Sequence, residues 1–387
     1  MQSSSRPVSP TSRCSREFRR IRVLLALALV GCSSPTTSDS TRKDNESTTT
    51  QSQEPTTSTS VLSAEEVLHA TRVATAEKVV ASWTKVLEQA ATLVSLPPKT
   101  SPGGQPIIYD NGCHLGWNAT KPTLCEFGDL TSDITVVVTG DSHAAHWFGA
   151  FEKAATEWGW RLVTVTKRGC PAADVQVYKS PEDGTDAALV PYTACDAWRK
   201  SAQKFIRALK PAVVVFPMLT RRGVMHTSGA GTAQAWRDGL LKEIDAITKG
   251  TSTKVLILSN TPKTIGAPIP SCLWSHPANI KRCENKTSVA SQQKYVDNLA
   301  ETAKIANVAF VDVTPWMCTP KICPVVVKRT MVYRDSHHLS DKFSRMLSNH
   351  VALEIDSLLR TPASPTTTTS LPSSSSTTST TITSPTD

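Results

Sequence analysis

Between residues 134 and 359, short apolar runs alternate with stretches of helical periodicity, and this alternation constrains the fold more than any other feature. The runs are Ile134 to Thr139, Leu162 to Thr166, Ala212 to Phe216, Lys254 to Leu258 and Val308 to Val313. They are rich in β-branched residues and lack a polar face, the composition of strands buried on both sides. Helical patterns occupy Ala144 to Trp158, Asp196 to Leu209, Ala233 to Thr248, Ser291 to Ala306 and Phe343 to Leu359. This order predicts a five-stranded parallel sheet flanked by helices, a doubly wound α/β domain. Sites in such sheets form at the carboxyl ends of the strands, so chemistry is sought just after each run.

Upstream, Ser63-Ala64-Glu65-Glu66 has the form of a capping box and opens a helical pattern to about Val94, stopped by Leu96-Pro97-Pro98. Its stripe of Val79, Val80, Trp83, Val86, Leu87 and Ala90 suits packing on the main domain or on a partner. Residues 63–106 are therefore predicted to be a helical extension with a linker, and 107–360 the α/β domain. The segments 32–62 and 361–387 are dominated by Ser, Thr and Pro. They hold too few apolar residues to offset the entropy of ordering, which predicts a disordered tether and tail.

Residues 1–31 have the plan of an export signal: a basic stretch ending Arg19-Arg20-Ile21-Arg22, then the short apolar run Val23 to Val30. That run is too short to span a bilayer. Leu29-Val30-Gly31-Cys32 resembles the bacterial lipobox, which implies lipidation of Cys32 and anchoring to the outer face of the cytoplasmic membrane without spanning it. The net charge of +9 includes +5 from this signal, and the remaining +4 is ordinary for the length. With no basic run interleaved with aromatics, nucleic-acid binding is not expected. Apart from Cys14 and Cys32, eight cysteines remain: Cys113, Cys125, Cys170, Cys195, Cys272, Cys283, Cys318 and Cys323. They fall into local couples, and an even count in an exported chain predicts disulfides. Sequence alone leaves their connectivity open.

Two motifs carry chemistry. The first run ends in Thr139-Gly140-Asp141-Ser142-His143, directly before a helix. A serine there suits a nucleophile, with the Ser142 and His143 amides able to face an oxyanion, and taken alone the motif also fits a turn with an N-cap serine. The second motif, Tyr333-Arg334-Asp335-Ser336-His337-His338-Leu339-Ser340, follows the last run. An Asp-x-x-His turn supplies a general base together with the carboxylate that orients it.

Together these motifs resemble the SGNH hydrolase superfamily, and within it the SGNH domains usually fused to integral-membrane O-acyltransferases. The resemblance includes His146-Trp147 after the serine, Gly169-Cys170-Pro171 after the second run, Trp316 to Cys318, Cys323, and Tyr333 to Ser340. It implies a flavodoxin-like, SGNH-type sheet, with Ser142 as nucleophile, His338 as base and Asp335 as orienter. His337 is the second choice of base. It also implies an esterase or O-acyltransferase acting on acyl esters, acetyl above all, of an envelope glycan or glycolipid, either alone or with a separate integral-membrane acyltransferase as a partner. One departure stands out. After the third run the chain reads Met218-Leu219-Thr220-Arg221-Arg222-Gly223, without the Gly-x-Asn that completes the oxyanion hole elsewhere in the family. Thr220, Arg221 and Gly223 are the residues there that could stand in, and Asn260 is expected to be structural. The departure keeps a second reading in view, a non-catalytic envelope module that binds glycan or scaffolds a membrane acyltransferase.

Other chemistries find little support. No P-loop and no Gly-x-Gly-x-x-Gly occurs, and no cofactor is expected. His143 and His146 lack a carboxylate at metalloprotease spacing, so a packing role is expected for them rather than metal ligation.

Overall fold

The computed structural model describes residues 62–179, 189–220 and 223–361. The signal segment, Cys32, nearly all of the tether, the tail beyond residue 361, and Arg221 and Arg222 lie outside the described residues. The main sheet has seven strands. Two short ones, β1 (His114–Leu115) and β2 (Glu126–Gly128), precede the five predicted: β3 (Thr135–Gly140), β4 (Arg161–Lys167), β5 (Val213–Pro217), β6 (Lys254–Leu258) and β7 (Ala309–Val311). Those five are parallel and lie side by side as β4-β3-β5-β6-β7, the flavodoxin-like order. The two additional strands share the outer edge of β4. There β1 pairs parallel through His114 and Thr166, and β2 pairs antiparallel through Glu126 and Val163. Two or three residues are too few to show a periodicity, so the sequence pattern alone does not reveal them.

Helices α1 (Ala64–Ala91), α2 (Ser142–Ala145) and α3 (Phe148–Trp158) come from the first half of the chain. The middle supplies α4 (Thr193–Leu209), α5 (Gly229–Thr248) and α6 (Gln293–Ala306), and the end supplies α7 (Asp341–Met346) and α8 (Ser348–Arg360). Alternation along each strand divides the core in two. Val136, Val138, Val213, Val215 and Leu256 join Trp83 and Leu87 of α1, Phe148 and Phe151 of α3, and Val351 and Ile355 of α8. Val137, Val214, Val255 and Ile257 join Trp198 and Ile206 of α4, Leu240 and Ile244 of α5, and Leu299 of α6. A side-chain period of two sends neighbours to opposite faces, so each valine run serves both cores.

Two predicted helices are each divided. The first breaks at His146-Trp147, where the Trp147 N–H reaches back only three residues to the Ala144 carbonyl, a tighter turn than an α-helix. The last breaks at Leu347. The α1 helix packs on the main domain. Its Trp83 is buried against Phe343 and His350, and its indole N–H donates to the Trp316 carbonyl at 2.8 Å. At its start, His69 Nε2 lies 2.7 Å from Asp356 of α8.

The cysteine connectivity left open above resolves into Cys113–Cys125, Cys170–Cys195, Cys272–Cys283 and Cys318–Cys323. Disulfides in such number belong to an oxidising compartment, and hence to an exported protein. No helix among the described residues is long and apolar enough to cross a membrane.

Candidate active site

The turn after β3 has a strict steric requirement. Gly140 has φ of 144°, and a Cβ placed there would sit 3.0 Å from the Pro217 carbonyl and 3.1 Å from Ala144 Cβ. Only glycine lets β3 pass this closely to β5 and turn at once into α2. Asp141 is the N-cap residue of α2, its carboxylate accepting the His143 N–H at 2.7 Å. The other carboxylate oxygen accepts the Leu219 N–H at 3.4 Å, joining the end of β5 to the same turn. Ser142 is the first residue of α2, and its N–H has no hydrogen-bond partner among the described residues.

The Asp-x-x-His loop folds back over this turn. Tyr333 and Leu339 pair across its neck, and the Arg334 N–H donates to the His338 carbonyl at 3.0 Å. Inside the loop, Asp335 Oδ1 accepts the backbone N–H groups of His337 and His338, both at 2.8 Å. Asp335 Oδ2 lies 2.7 Å from His338 Nδ1, and His338 Nε2 lies 2.8 Å from Ser142 Oγ. Burial pushes the Asp335 carboxyl up. The hydrogen bond and charge of His338, with the two backbone N–H groups, outweigh it and hold the carboxyl well below the usual range. An ionised carboxylate only accepts, so Nδ1 carries the proton and Nε2 is left to accept from the Ser142 hydroxyl.

His337 does not reach the serine. Its Nδ1 lies 2.8 Å from Ser336 Oγ, and its ring stacks on His143 with centroids 5.3 Å apart. The geometry therefore brings together Ser142, His338 and Asp335.

The expected oxyanion contacts need correction. The His143 N–H is engaged by the Asp141 carboxylate, because a residue two places after an N-cap aspartate is where that side chain bonds. It is therefore turned to its own cap, and only the Ser142 amide of the expected pair stays open. Thr220 is likewise engaged. Its N–H donates to Asn260 Oδ1 at 2.9 Å, and its hydroxyl accepts from Asn260 Nδ2 at 2.7 Å. This bidentate clamp is the structural role expected of Asn260. Gly223 is exposed.

His146 is fully buried, and burial first, then nearby positive groups, pushes its pKa well below the ordinary value. As a neutral ring, its Nδ1 accepts the Leu339 N–H at 3.4 Å and so supports the loop that carries His338. One ring atom from each of His143, His337 and His338 lies within 4.8 Å of the others. Both nitrogens of His338 are nevertheless engaged, by Ser142 and Asp335, which suits proton transfer rather than metal ligation.

One residue near the serine, Tyr109, escapes the sequence reading. The Tyr109 hydroxyl donates to the Ser142 carbonyl at 3.3 Å, and the Arg334 guanidinium lies 4.2 Å from the Tyr109 ring centroid. Burial chiefly pushes the Tyr109 hydroxyl up to about 12, so it stays protonated and can donate. Tyr109 sits in the short turn Ile107–Tyr109, which belongs to no motif, so nothing in the sequence marks it.

Fold and site together define an α/β domain with a serine, a histidine and an aspartate gathered at the carboxyl edge of its sheet. Residues 112–353 match the SGNH domain that occurs fused to AT3 domains, and the chain belongs to that family. No curated protein sequence matches the chain. Three solved structures are similar in part. The periplasmic domain of the lipopolysaccharide acetyltransferase of Salmonella ser. Paratyphi A is 15% identical, with 74% of this chain and 99% of that one covered, at a TM-score of 0.47. Est24, a carbohydrate acetylesterase from Sinorhizobium meliloti, is 14% identical over 58% of this chain and all of its own, at 0.32. The aryl esterase of M. smegmatis is 12% identical over 58% of this chain and 99% of its own, at 0.34.

Proposed function

We propose that the protein is an exported serine esterase or O-acyltransferase that handles acyl esters, acetyl above all, of cell-envelope glycans or glycolipids. The observation that carries this reading is the relay from Ser142 Oγ to His338 Nε2 at 2.8 Å and from His338 Nδ1 to Asp335 Oδ2 at 2.7 Å. His338 takes the Ser142 proton as Oγ adds to the ester carbonyl, and the ionised Asp335 balances the imidazolium. The Ser142 N–H donates to the oxyanion as it forms. His338 then returns the proton to the departing alcohol, leaving an acyl group on Ser142. A second hydroxyl, from water or from a sugar, gives its proton to His338, attacks the acyl carbon and restores the serine. Water makes the reaction hydrolysis, and sugar makes it transfer.

With the His143 amide engaged by Asp141, the oxyanion has fewer donors than the motif promised. Each lost donor costs about 10²- to 10³-fold in every step that passes through the oxyanion, whether the acceptor is water or a sugar, so the loss slows hydrolysis and transfer alike. Membership of a family that occurs fused to AT3 domains supports acyl groups arriving from a separate integral-membrane acyltransferase. A lipid on Cys32 would hold this chain at the same membrane.

The test is labelling by a serine-directed fluorophosphonate, together with hydrolysis of p-nitrophenyl acetate, in the wild type and in Ser142→Ala. Labelling and turnover that both vanish in the variant support the reading. Labelling without turnover points to the transferase. Absence of both in the wild type rejects catalysis and leaves a glycan-binding module.

A further inference from the structure

A groove of about 460 Å³ opens beside the serine turn. Its lining includes Leu219, whose N–H bonds to Asp141, and His337, whose ring stacks on His143. Both thus touch residues flanking Ser142. Lys263, Gln292 and Tyr295 line it too. Tyr295 also borders a second pocket of about 330 Å³, which reaches Trp236, Lys294 and Asn298. Leu219 lines the first pocket, its neighbour Thr220 the second, and Tyr295 both, so the two are adjacent at the turn after β5. Each is of the size that holds a ligand of several rings, far more than an acetyl group needs.

Its charge has one sign. Among the described residues no carboxylate lines either pocket, and the lysines that do are Lys263 and Lys294. Neither ammonium group has an acidic partner among the described residues, so both are available to a ligand. Lys294 lies 5.0 Å from the Tyr295 ring centroid, so that ring is a platform with a cation on it. The N-terminal end of α6, a helix of 14 residues, borders the groove at Gln292, just before the helix, and at Tyr295 in its first turn. Its positive end adds to the same field.

We infer that this groove holds the glycan strand on which Ser142 acts, and that the strand is anionic, with carboxylate or phosphate groups on its repeating units. Tyr295 would stack on a sugar face, while Lys263 and Lys294 pair with successive anionic groups. The inference rests on the proposed chemistry for its purpose, but its test does not involve chemistry.

Binding is measured by calorimetry on the full-length Ser142→Ala protein, which cannot turn over. The probes are hexagalacturonate, a poly(glycerol phosphate) oligomer and neutral maltohexaose. At least one anionic probe is expected to bind about tenfold tighter than maltohexaose at low salt. The tighter of the two identifies the anionic group. Adding Lys263→Ala and Lys294→Ala should remove that advantage while the melting temperature stays unchanged. Raising salt from about 20 to about 300 mM should do the same. Equal affinity for neutral and anionic probes, no binding of any probe, or an advantage that survives both lysine substitutions would overturn the inference. If Ser142 takes no fluorophosphonate while the anionic probe still binds, the catalytic reading fails and the groove stands.

Discussion

Asp335 holds three donors at once, the ring of His338 and two backbone N–H groups, and this fixes both its charge and the tautomer of the base. An amide in its place would offer an NH₂ group to Nδ1 and favour the tautomer whose Nε2 cannot accept from serine. Asp335→Asn is therefore expected to lower kcat by about 10³- to 10⁴-fold with little change in KM, read from steady-state kinetics. The same carboxylate links stability to pH. Its folded pKa is depressed, so its contribution is present above the unfolded value of about 4 and fades as pH falls through the folded one. Melting temperatures of wild type and Asp335→Asn should accordingly differ at pH 7 and converge below about pH 4. A constant gap would show that the carboxylate is not held ionised. Gly140-Asp141-Ser142 and Asp335-x-x-His338 are legible in the chain because each is a local turn of fixed residue types. The engagement of the His143 amide was not legible, since the Asp141 side chain can cap or turn away in the same sequence.

At the scale of single elements, α1 behaves as part of the domain it precedes. Trp83 fills a site between Phe343 and His350, and its indole N–H satisfies the Trp316 carbonyl. Trp83→Ala should cost about 3–5 kcal/mol in urea denaturation, from lost burial and a cavity. A loss below about 1 kcal/mol would mean that α1 only rests on the surface. Between α4 and α5, Glu243 is 2% exposed and receives a hydrogen bond from Gln203 at 2.6 Å. Burial first pushes its pKa up to about 7, against opposing help from Gln203 and Arg199. The folded state then holds a proton that the unfolded state releases above about pH 4.5, so stability falls as pH rises from there to about 7. Glu243→Gln should remove that decline, raising stability at pH 8 by on the order of 2–3 kcal/mol and changing it little at pH 4. An equal effect at both pH values would rule out the linkage. The stripe through Trp83 and Leu87 was legible as an apolar face, but the surface that receives it was not. Its receiving surface comes from Trp316, Phe343 and His350, more than 230 residues further along the chain.

Across the whole molecule, the four disulfides staple loops around the sheet, and Cys170–Cys195 ties the carboxyl end of β4 to α4 across 25 residues. Closing a loop of that length removes unfolded-state entropy equivalent to about 3.5 kcal/mol, before any strain or residual structure. The Cys170→Ala, Cys195→Ala protein should lose about that much, measured by denaturant titration beside the oxidised wild type. A neutral outcome would mean that the other three bridges and the packed core already restrict the unfolded chain. The sheet is also where the site is assembled. Ser142 leaves β3, Leu219 leaves its neighbour β5, and the loop from Tyr333 to Leu339 returns from beyond β7 to meet the serine turn.

What the sequence determined by itself is what short-range rules decide. Valine runs make strands buried on two faces, the capping box starts α1, glycine permits the turn at 140, and Asp335 and His338 share a loop. The strand order, the two added edge strands, the cysteine connectivity, the Asn260–Thr220 clamp and the 2.8 Å approach of His338 to Ser142 were decided by the tertiary structure. Apart from the cysteine couples, 5 to 25 residues apart, each of these joins groups that are distant in the chain. Local propensity carries no information about such pairs, and only the burial of two cores against one sheet selects them.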